Sequence, residues 1–499
     1  MKSMLRFGIT LLAAALLSGA AAQTITVAQG ADAVTLDPHK TNDQPSARIM
    51  RQVYDTLVVQ NEDLSLTPGL AASWEQVEPT VWEFTLREGV TFHNGEPLEA
   101  ADVVFTLNRM LDPETAAPAS FLLGFVESVE AIDDMTVRVT TAYPFAPALN
   151  HFSHTATSIL NEEAVTEAGE DYGTSVVVGT GPFAFVSWDT SSQLVLERSD
   201  NWYGGEVLPE QVIFRPIPEG TVRAIELETG GVDIAYALEP TDAQRLADDP
   251  EVQLESVETL STAYIGFNAQ KEPFDDVLVR QAINHAIDVN TIVEVIFEGQ
   301  AVPATSPISA QVFGANLDLE AYEYDPELAR ELLAEAGYAD GFSTTLWTND
   351  NPLRVQIAEI AQAQLGEIGI DVDVQVLEWG TYLAETSAGN HDMFILGWVT
   401  VTADADYGLY GLFHSDNFGS PNRTFWGNER VDELLTLGRT TIDQDERLNA
   451  YLEAQEIIAE QAPWVFLYIQ TEVNGLRDNV SGFVPHPAGH HRLYSVSKE

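Results

Sequence analysis

The stretch from Thr262 to Asp288, TAYIGFNAQKEPFDDVLVRQAINHAID, reads as a strand that runs through a turn into a capped helix near the middle of the chain. Tyr264, Gly266, Phe267 and Asn268 belong to an extended run, and Pro273 interrupts it. Asp275 or Asp276 can then accept from the free amides that open a helix at about Val277. Ala282, Ile283, Ala286 and Ile287 recur at helical spacing and define one buried face.

Downstream the pattern alternates. Asp325 caps a helix whose first turn takes Pro326, where no N–H is needed, and which ends at Gly337. Ser343–Trp347 reads as a strand, Arg354–Ile368 as a helix, Ile370–Val376 as an alternating strand and Met393–Leu396 as a buried strand. Such β-α-β-α-β order implies parallel strands joined by right-handed crossovers. In open sheets of this kind ligands lie at the carboxyl ends of strands. That rule nominates Trp347 and Asn349 after one strand, and Gly397 and Trp398 after another. A later helix spans Asp445–Gln461, and Trp464–Ile469 follows as a buried strand.

At 499 residues the chain exceeds one ordinary core, so a multi-lobed α/β protein is expected. Lys2 and Arg6, an apolar run from Phe7 to Leu17 and Ala20-Ala21-Ala22 predict a secretory signal peptide over residues 1–22. The run is too short to span a membrane. With no cysteine, the chain has no disulfide, no thiolate metal site and no lipid-modified cysteine. Retention of an exported, unanchored protein needs an outer membrane, so a periplasmic location is expected. The formal charge of −54 excludes nucleic acid as a natural partner, because that binding rests on Lys and Arg releasing counterions. The acidic balance fits either environmental adaptation of the surface or steering of cationic ligands.

Neither HExxH, GxSxG nor GxxxxGK occurs, and the sequence nominates no catalytic residue and no cofactor. Gly179-Thr180-Gly181-Pro182-Phe183 looks like a phosphate loop, but Pro182 lacks an N–H and no Lys follows. His93 reads as a turn residue beside Asn94-Gly95. His486, His490 and His491 lie in a Pro/Gly-rich tail without metal-ligand spacing, so no metal is expected.

Phe267-Asn268, Pro273-Phe274-Asp275-Asp276 and Val279-Arg280-Gln281-Ala282-Ile283 resemble the hinge signature of the bacterial extracellular solute-binding proteins of family 5, which take dipeptides, oligopeptides, nickel and glutathione. Pro68-Gly69-Leu70-Ala71-Ala72-Ser73-Trp74, the Gly179–Phe183 stretch and His391–Trp398 extend the resemblance over nearly the whole mature chain. It implies a two-lobed periplasmic binding protein of the type II, cluster C-like kind. Lobe one would span 23–262, with a subdomain inserted at about 45–178; lobe two would span 263–472, and 473–499 would return to lobe one. In such a protein the strand at Tyr264–Asn268 crosses between lobes.

The resemblance marks Asn42 and Asp43 as facing the cleft and adds Thr180, Tyr264 and Asn268 as ligand-binding candidates. Where peptide binders carry an Asp three residues after the pocket Trp, this chain has Val401, and its acids follow at Asp404 and Asp406. Both are taken as candidates for a ligand ammonium. Gly341–Trp347 and Ala403–Leu409 look most like the glutathione-binding subgroup. The expected partners are a small-molecule or peptide ligand and the permease of an ATP-driven (ABC) importer, met by a monomer without a membrane-spanning segment. A nickel chelate, haem, an oligosaccharide and a secreted hydrolase stand as alternatives.

Overall fold

The computed structural model describes residues 23–499, so the signal peptide expected over residues 1–22 lies outside the described residues. The opening stretch forms the end of one long strand, Val252–Phe267, and the helix Val277–Ala286. The Asp276 carboxylate accepts the Leu278 N–H at 2.9 Å, which fixes the helix start. Ala282, Ile283 and Ala286 are buried on the face that the spacing predicts.

Among the described residues one sheet of eleven strands runs through the whole molecule. Its first part carries Ile370–Leu377, Phe342–Asn349 and Met393–Val399 in spatial order, all parallel, with the helices Pro352–Glu367 and Trp379–Ser387 as the crossovers. Its other end carries Ile234–Ala235, Thr24–Gln29 and Gln211–Pro216 in parallel pairing, then Gln193–Arg198 and Phe183–Asp189 as antiparallel edge strands. Two antiparallel strands, Val252–Phe267 and Trp464–Arg477, join the two parts.

The ladder between these long strands slips register twice, widely between Glu258 and Thr262 and by one residue between Ala263 and Tyr264. Pairing runs from Val252↔Arg477 to Glu258↔Thr471 and resumes at Thr262↔Ile469, so Thr259, Leu260 and Ser261 stand against Gln470 alone. The Thr259 hydroxyl donates to the Gln470 carbonyl at 2.7 Å and takes up a group the ladder leaves unpaired. The wider slip, at 258–262, precedes the expected Tyr264–Asn268 stretch, and the narrower one adjoins Tyr264. Beyond the break Ile265 and Phe267 already pack with Ile283, Ile357 and Ile395 in a core of their own.

A second core gathers Ile25, Ile49, Phe183 and Phe214 with Leu476, Phe483 and Leu493 from the end of the chain. A four-stranded antiparallel sheet, made of Ala71–Glu78, Val81–Leu86, Thr136–Thr141 and Val126–Asp133, packs under the helix Ala100–Leu111. Its apolar face, with Phe84, Leu107 and Phe125, continues into Leu409, Phe413 and Trp464. Apolar contact is thus unbroken between this unit and the segments after residue 398.

The Gly179–Phe183 stretch owes its glycines to backbone packing. A Cβ on Gly179 would lie 2.1 Å from the Val53 carbonyl oxygen, and one on Gly181 2.6 Å from the Val53 carbonyl carbon. His93 ties the same stretch to the hairpin: its Nε2 lies 2.9 Å from the Gly181 carbonyl and its Nδ1 accepts the Gly179 N–H at 3.3 Å.

Gly266 sits where the strand Val252–Phe267 meets the buried ring of Phe394, and an added Cβ would fall 2.4 Å from that ring. Overpacking of a filled core costs about 1–3 kcal/mol. Gly266→Ala is expected to lower stability by that amount in chemical denaturation, whereas Gly366→Ala, where the added atom meets open space on a helix, should be neutral or stabilising.

Candidate ligand-binding site

A cavity of about 310 Å³ opens beside the ladder break, and Thr259, Ser261 and Gln470 form part of its wall. The helix Gln44–Val53 and the loop before it contribute Asn42, Asp43 and Arg48 from one side. From the other side come Asn349 at the carboxyl end of one parallel strand, and Gly397 and Trp398 near the carboxyl end of another. The rule for open α/β sheets thus locates the cavity from strand order alone.

Four arginines line it in a chain that has 77 acids. Arg48 is paired with Glu472, whose other oxygen accepts from His491 Nε2 at 2.8 Å. Burial works against the Glu472 charge, but Arg48 and His491 hold it well below the usual carboxylate range. Arg223 donates to the carbonyls of Ile217, Pro218 and Ala237, and burial lowers its pKa.

Arg354 and Arg423 have no carboxylate partner among the described residues. Arg354 donates to Asn349 Oδ1 at 2.9 Å, and its guanidinium carbon lies 5.7 Å from the centre of the Trp379 ring. Arg423 is buried and donates through Nε to Thr386 Oγ1 at 3.1 Å, and burial lowers its pKa. Sequence reasoning missed all four arginines. Arg354 opens the helix that follows a parallel strand, so its position was legible; Arg423 comes from a loop and carries no such signal.

Two polar contacts join the walls. Trp379 Nε1 donates to Asp43 Oδ2 at 3.3 Å, and the Tyr407 hydroxyl accepts from Asn42 Nδ2 at 3.2 Å while lying 3.1 Å from His154 Nε2. Asp43 also caps the helix Gln44–Val53 by accepting the Ser46 N–H. Trp398 stands 5.0 Å from Tyr407, ring centre to ring centre, and its buried indole N–H has no protein acceptor.

Of the residues nominated by sequence, Asn42, Asp43, Asn349, Gly397 and Trp398 meet at this cavity. The others do not. Thr180 is buried and donates to Asp55 Oδ2 at 3.2 Å, away from the cavity. Tyr264 lies flat on Trp464, with 3.4 Å between ring centres, inside the core. Asn268 is used by the turn it closes, donating to the Gly389 and His391 carbonyls. Trp347 falls one pleat repeat before Asn349 and packs by His391, 6.4 Å between ring centres, so it stops short of the cavity.

Asp404 and Asp406 require the largest correction. Both are buried. Asp404 accepts from Arg447 Nη2 with both oxygens, at 2.8 and 2.9 Å, and burial raises its pKa against the pull of that arginine. Asp406 takes Arg439 Nε and Nη2 at 3.0 and 3.1 Å and lies 3.3 Å from His151 Nε2. Burial pushes the Asp406 carboxyl up, yet Arg439 and His151 together hold it down to about 2. The loop that carries both acids also accepts Asn150 Nδ2 at the Thr402 carbonyl, 2.8 Å away. It joins the two walls and offers no charge to a ligand. Of the tail histidines, His486 Nδ1 accepts the Ala488 N–H and His491 bonds Glu472, while His490 lines the cavity.

Removing one member of a buried pair leaves a stranded charge and costs about 3–5 kcal/mol. Asp404→Asn and Asp406→Asn are each expected to lower stability at pH 7 by that order. Since Asp406 titrates below its ordinary value of 3.8, its contribution is present in full above about pH 4 and fades as pH falls towards 2. Urea denaturation of the Asp406→Asn variant and the unaltered chain should therefore converge over that interval.

Residues 65–420 match the family model described as bacterial extracellular solute-binding proteins, family 5 Middle. The glutathione-binding protein GsiB of Salmonella paratyphi A is 32% identical over 473 residues, which covers 93% of this chain and 92% of that one. GsiB of Escherichia coli K12 shows the same identity and coverage. Among solved structures, the periplasmic binding protein DppA of Helicobacter pylori, in complex with the peptide STSA, superposes with a TM-score of 0.90 at 32% identity, over 95% of this chain and 98% of that one. The dipeptide-binding protein of Pseudoalteromonas sp. SM9913, in complex with Met-Leu, gives 0.91 at 26% identity over 96% and 100% of the two chains. With its two lobes, its central cavity and these matches along nearly all of its length, the chain belongs to the family 5 bacterial extracellular solute-binding proteins.

Proposed function

We propose that the protein captures a short peptide of glutathione-like character, one with more carboxylates than ammonium groups, and delivers it to the permease of an ABC importer. The observation that carries this reading is the pair of cavity arginines, Arg354 and Arg423, that no protein carboxylate neutralises among the described residues. In a chain this acidic an unpaired guanidinium facing a cavity calls for an anionic group on the ligand, and Arg offers carboxylate a two-pronged donor. Of the lining acids, Glu472 is paired with Arg48 and Asp43 is engaged by Ser46 and Trp379. Glu239, half-buried and outside any ion pair, is left for a ligand ammonium.

A volume of about 310 Å³ lies at the small end of ligand pockets, roughly 300–1,000 Å³, and suits two or three residues better than a long oligopeptide. Trp379, Trp398 and Tyr407 supply flat apolar walls for the rest of the solute. The names of the relatives, glutathione-binding and peptide-binding proteins, support the same choice.

Lobe one is taken as 23–262 with a subdomain inserted at about 45–178, lobe two as 263–472, and 473–499 as the return to lobe one. The ladder break at 258–262 is then the hinge, and a ligand touching both walls favours the closed form. Export by the N-terminal signal to a periplasm, without a lipid anchor, completes the reading. No helix among the described residues is long and apolar enough to cross a membrane. The role is binding without catalysis.

Titration calorimetry with reduced and oxidised glutathione, dipeptides and tripeptides tests the ligand class. Arg354→Gln is expected to weaken binding of the preferred peptide about ten- to a hundredfold, the loss of one charge-assisted hydrogen bond. Small-angle scattering should show a more compact particle at saturation. If none of these solutes binds, or if Arg354→Gln binds as tightly as the unaltered chain, the reading fails.

A further inference from the structure

A second cavity, of about 340 Å³, lies by the C-terminal end of the helix Gln44–Val53 and shares no lining residue with the solute cavity. Its walls come from distant parts of the chain: Arg51 in the last turn of that helix, Arg87 after the strand Val81–Leu86, and Arg492 in the C-terminal tail. None of the three forms an ion pair with a carboxylate among the described residues. That is unexpected where 77 acids compete for 23 basic residues. Most other arginines of the chain do have such partners, among them Arg48, Arg109, Arg138, Arg215, Arg439 and Arg447.

Each arginine is held by one edge and left open at another. Arg51 donates through Nε to Thr155 Oγ1 at 2.9 Å and through Nη2 to the Ser153 carbonyl. Arg87 donates through Nε to the Gly69 carbonyl at 3.2 Å, with its guanidinium carbon 5.0 Å from the centre of the Tyr203 ring. Arg492 donates through Nη2 to the Gln60 carbonyl at 3.0 Å. Nη1 of Arg51, both terminal nitrogens of Arg87, and Nε and Nη1 of Arg492 have no protein acceptor, and none of these atoms is sealed from solvent. The heads are therefore fixed in place with donors to spare.

The cavity holds one acid, Asp55. Its Oδ2 is taken by neutral donors, Trp202 Nε1 at 3.3 Å and Thr180 Oγ1 at 3.2 Å, and it contacts none of the arginines closely enough to pair. Burial, and then the charge of Arg492, push the Arg51 guanidinium down to about 9, as expected of cations gathered without enough counter-charge. Three guanidinium groups against one carboxylate leave the site short of negative charge.

We propose that this cavity is a second binding site, specific for a multivalent oxyanion of the phosphate or sulfate class, held by Arg51, Arg87 and Arg492. Arginine forks match tetrahedral oxyanions through paired N–H donors, and the partly dry wall strengthens each contact. A halide brings a single charge and no paired oxygens, so it neutralises three heads less fully than a doubly charged oxyanion does. Because the three arginines belong to the helix, the hairpin and the C-terminal tail, a bound oxyanion also ties those segments together and stabilises the fold by its binding free energy.

The site is tested on the mature full-length chain by calorimetry and thermal denaturation with inorganic phosphate and, separately, sulfate, each against chloride at the same ionic strength. One equivalent of phosphate or sulfate is expected to bind and to raise the melting temperature above the chloride control, and the tighter of the two identifies the anion. Arg87→Gln and Arg492→Gln should each weaken that binding about tenfold or more while leaving peptide or glutathione affinity unchanged. Arg354→Gln, in the solute cavity, should leave oxyanion affinity unchanged, which separates this proposal from the reading of the first site. Binding no stronger than chloride overturns the proposal, and so does binding lost in Arg354→Gln but kept in Arg87→Gln. Should a variant fail to fold, selenate soaked into crystals of the unaltered chain decides: an anomalous peak among the three arginines supports the site, and its absence there overturns it.

Discussion

Two strands that cross the whole molecule, Val252–Phe267 and Trp464–Arg477, constrain everything else in it. Backbone hydrogen bonding holds them in register except at two slips, the wider at Thr259, Leu260 and Ser261 against Gln470 and the narrower between Ala263 and Tyr264. The cores around Ile265 and Ile283 and around Ile25 and Phe214 lie to either side of the wider slip, and a third, with Phe84, Leu260, Tyr264 and Trp464, runs past it. The cavity borders it, with Thr259, Ser261 and Gln470 in its wall.

Positive charge is the scarce resource of this chain, and its distribution is telling. The chain is strongly acidic, yet nine of its arginines lie at the solute cavity, at the second cavity and against the loop that carries Asp404 and Asp406. A buried guanidinium keeps its charge and its planar donor geometry where a lysine would tend to lose its proton. A net negative exterior favours solubility.

The segment after the pocket strand shows how burial changes what a residue does. Asp404 and Asp406 look like free acids on a loop, yet each is enclosed by an arginine from the helices Glu429–Thr440 and Gln444–Gln461. His151 reaches Asp406 from the short helix Ala148–His151, so the acid also ties that distant segment to the loop. Charge that faces water in an extended reading becomes structural once two helices pack over it, because an unpaired buried ion is too costly to leave.

The sequence by itself determined the class of fold and the site's general position. Alternation of strands and helices from Ser343 to Leu396, the cap at Asp276 and the family signatures are local or nearly local signals, and Asn349, Gly397 and Trp398 follow from strand ends. Tertiary structure decided the rest. Tyr264 and Trp347 are core because neighbours distant in sequence cover them, Thr180 turns to Asp55, and the four cavity arginines converge from three separate helices and a loop that no spacing connects. Which face of a strand meets solvent is periodic and legible, but which acid meets which arginine depends on contacts such as Arg447 with Asp404, set only when remote helices pack.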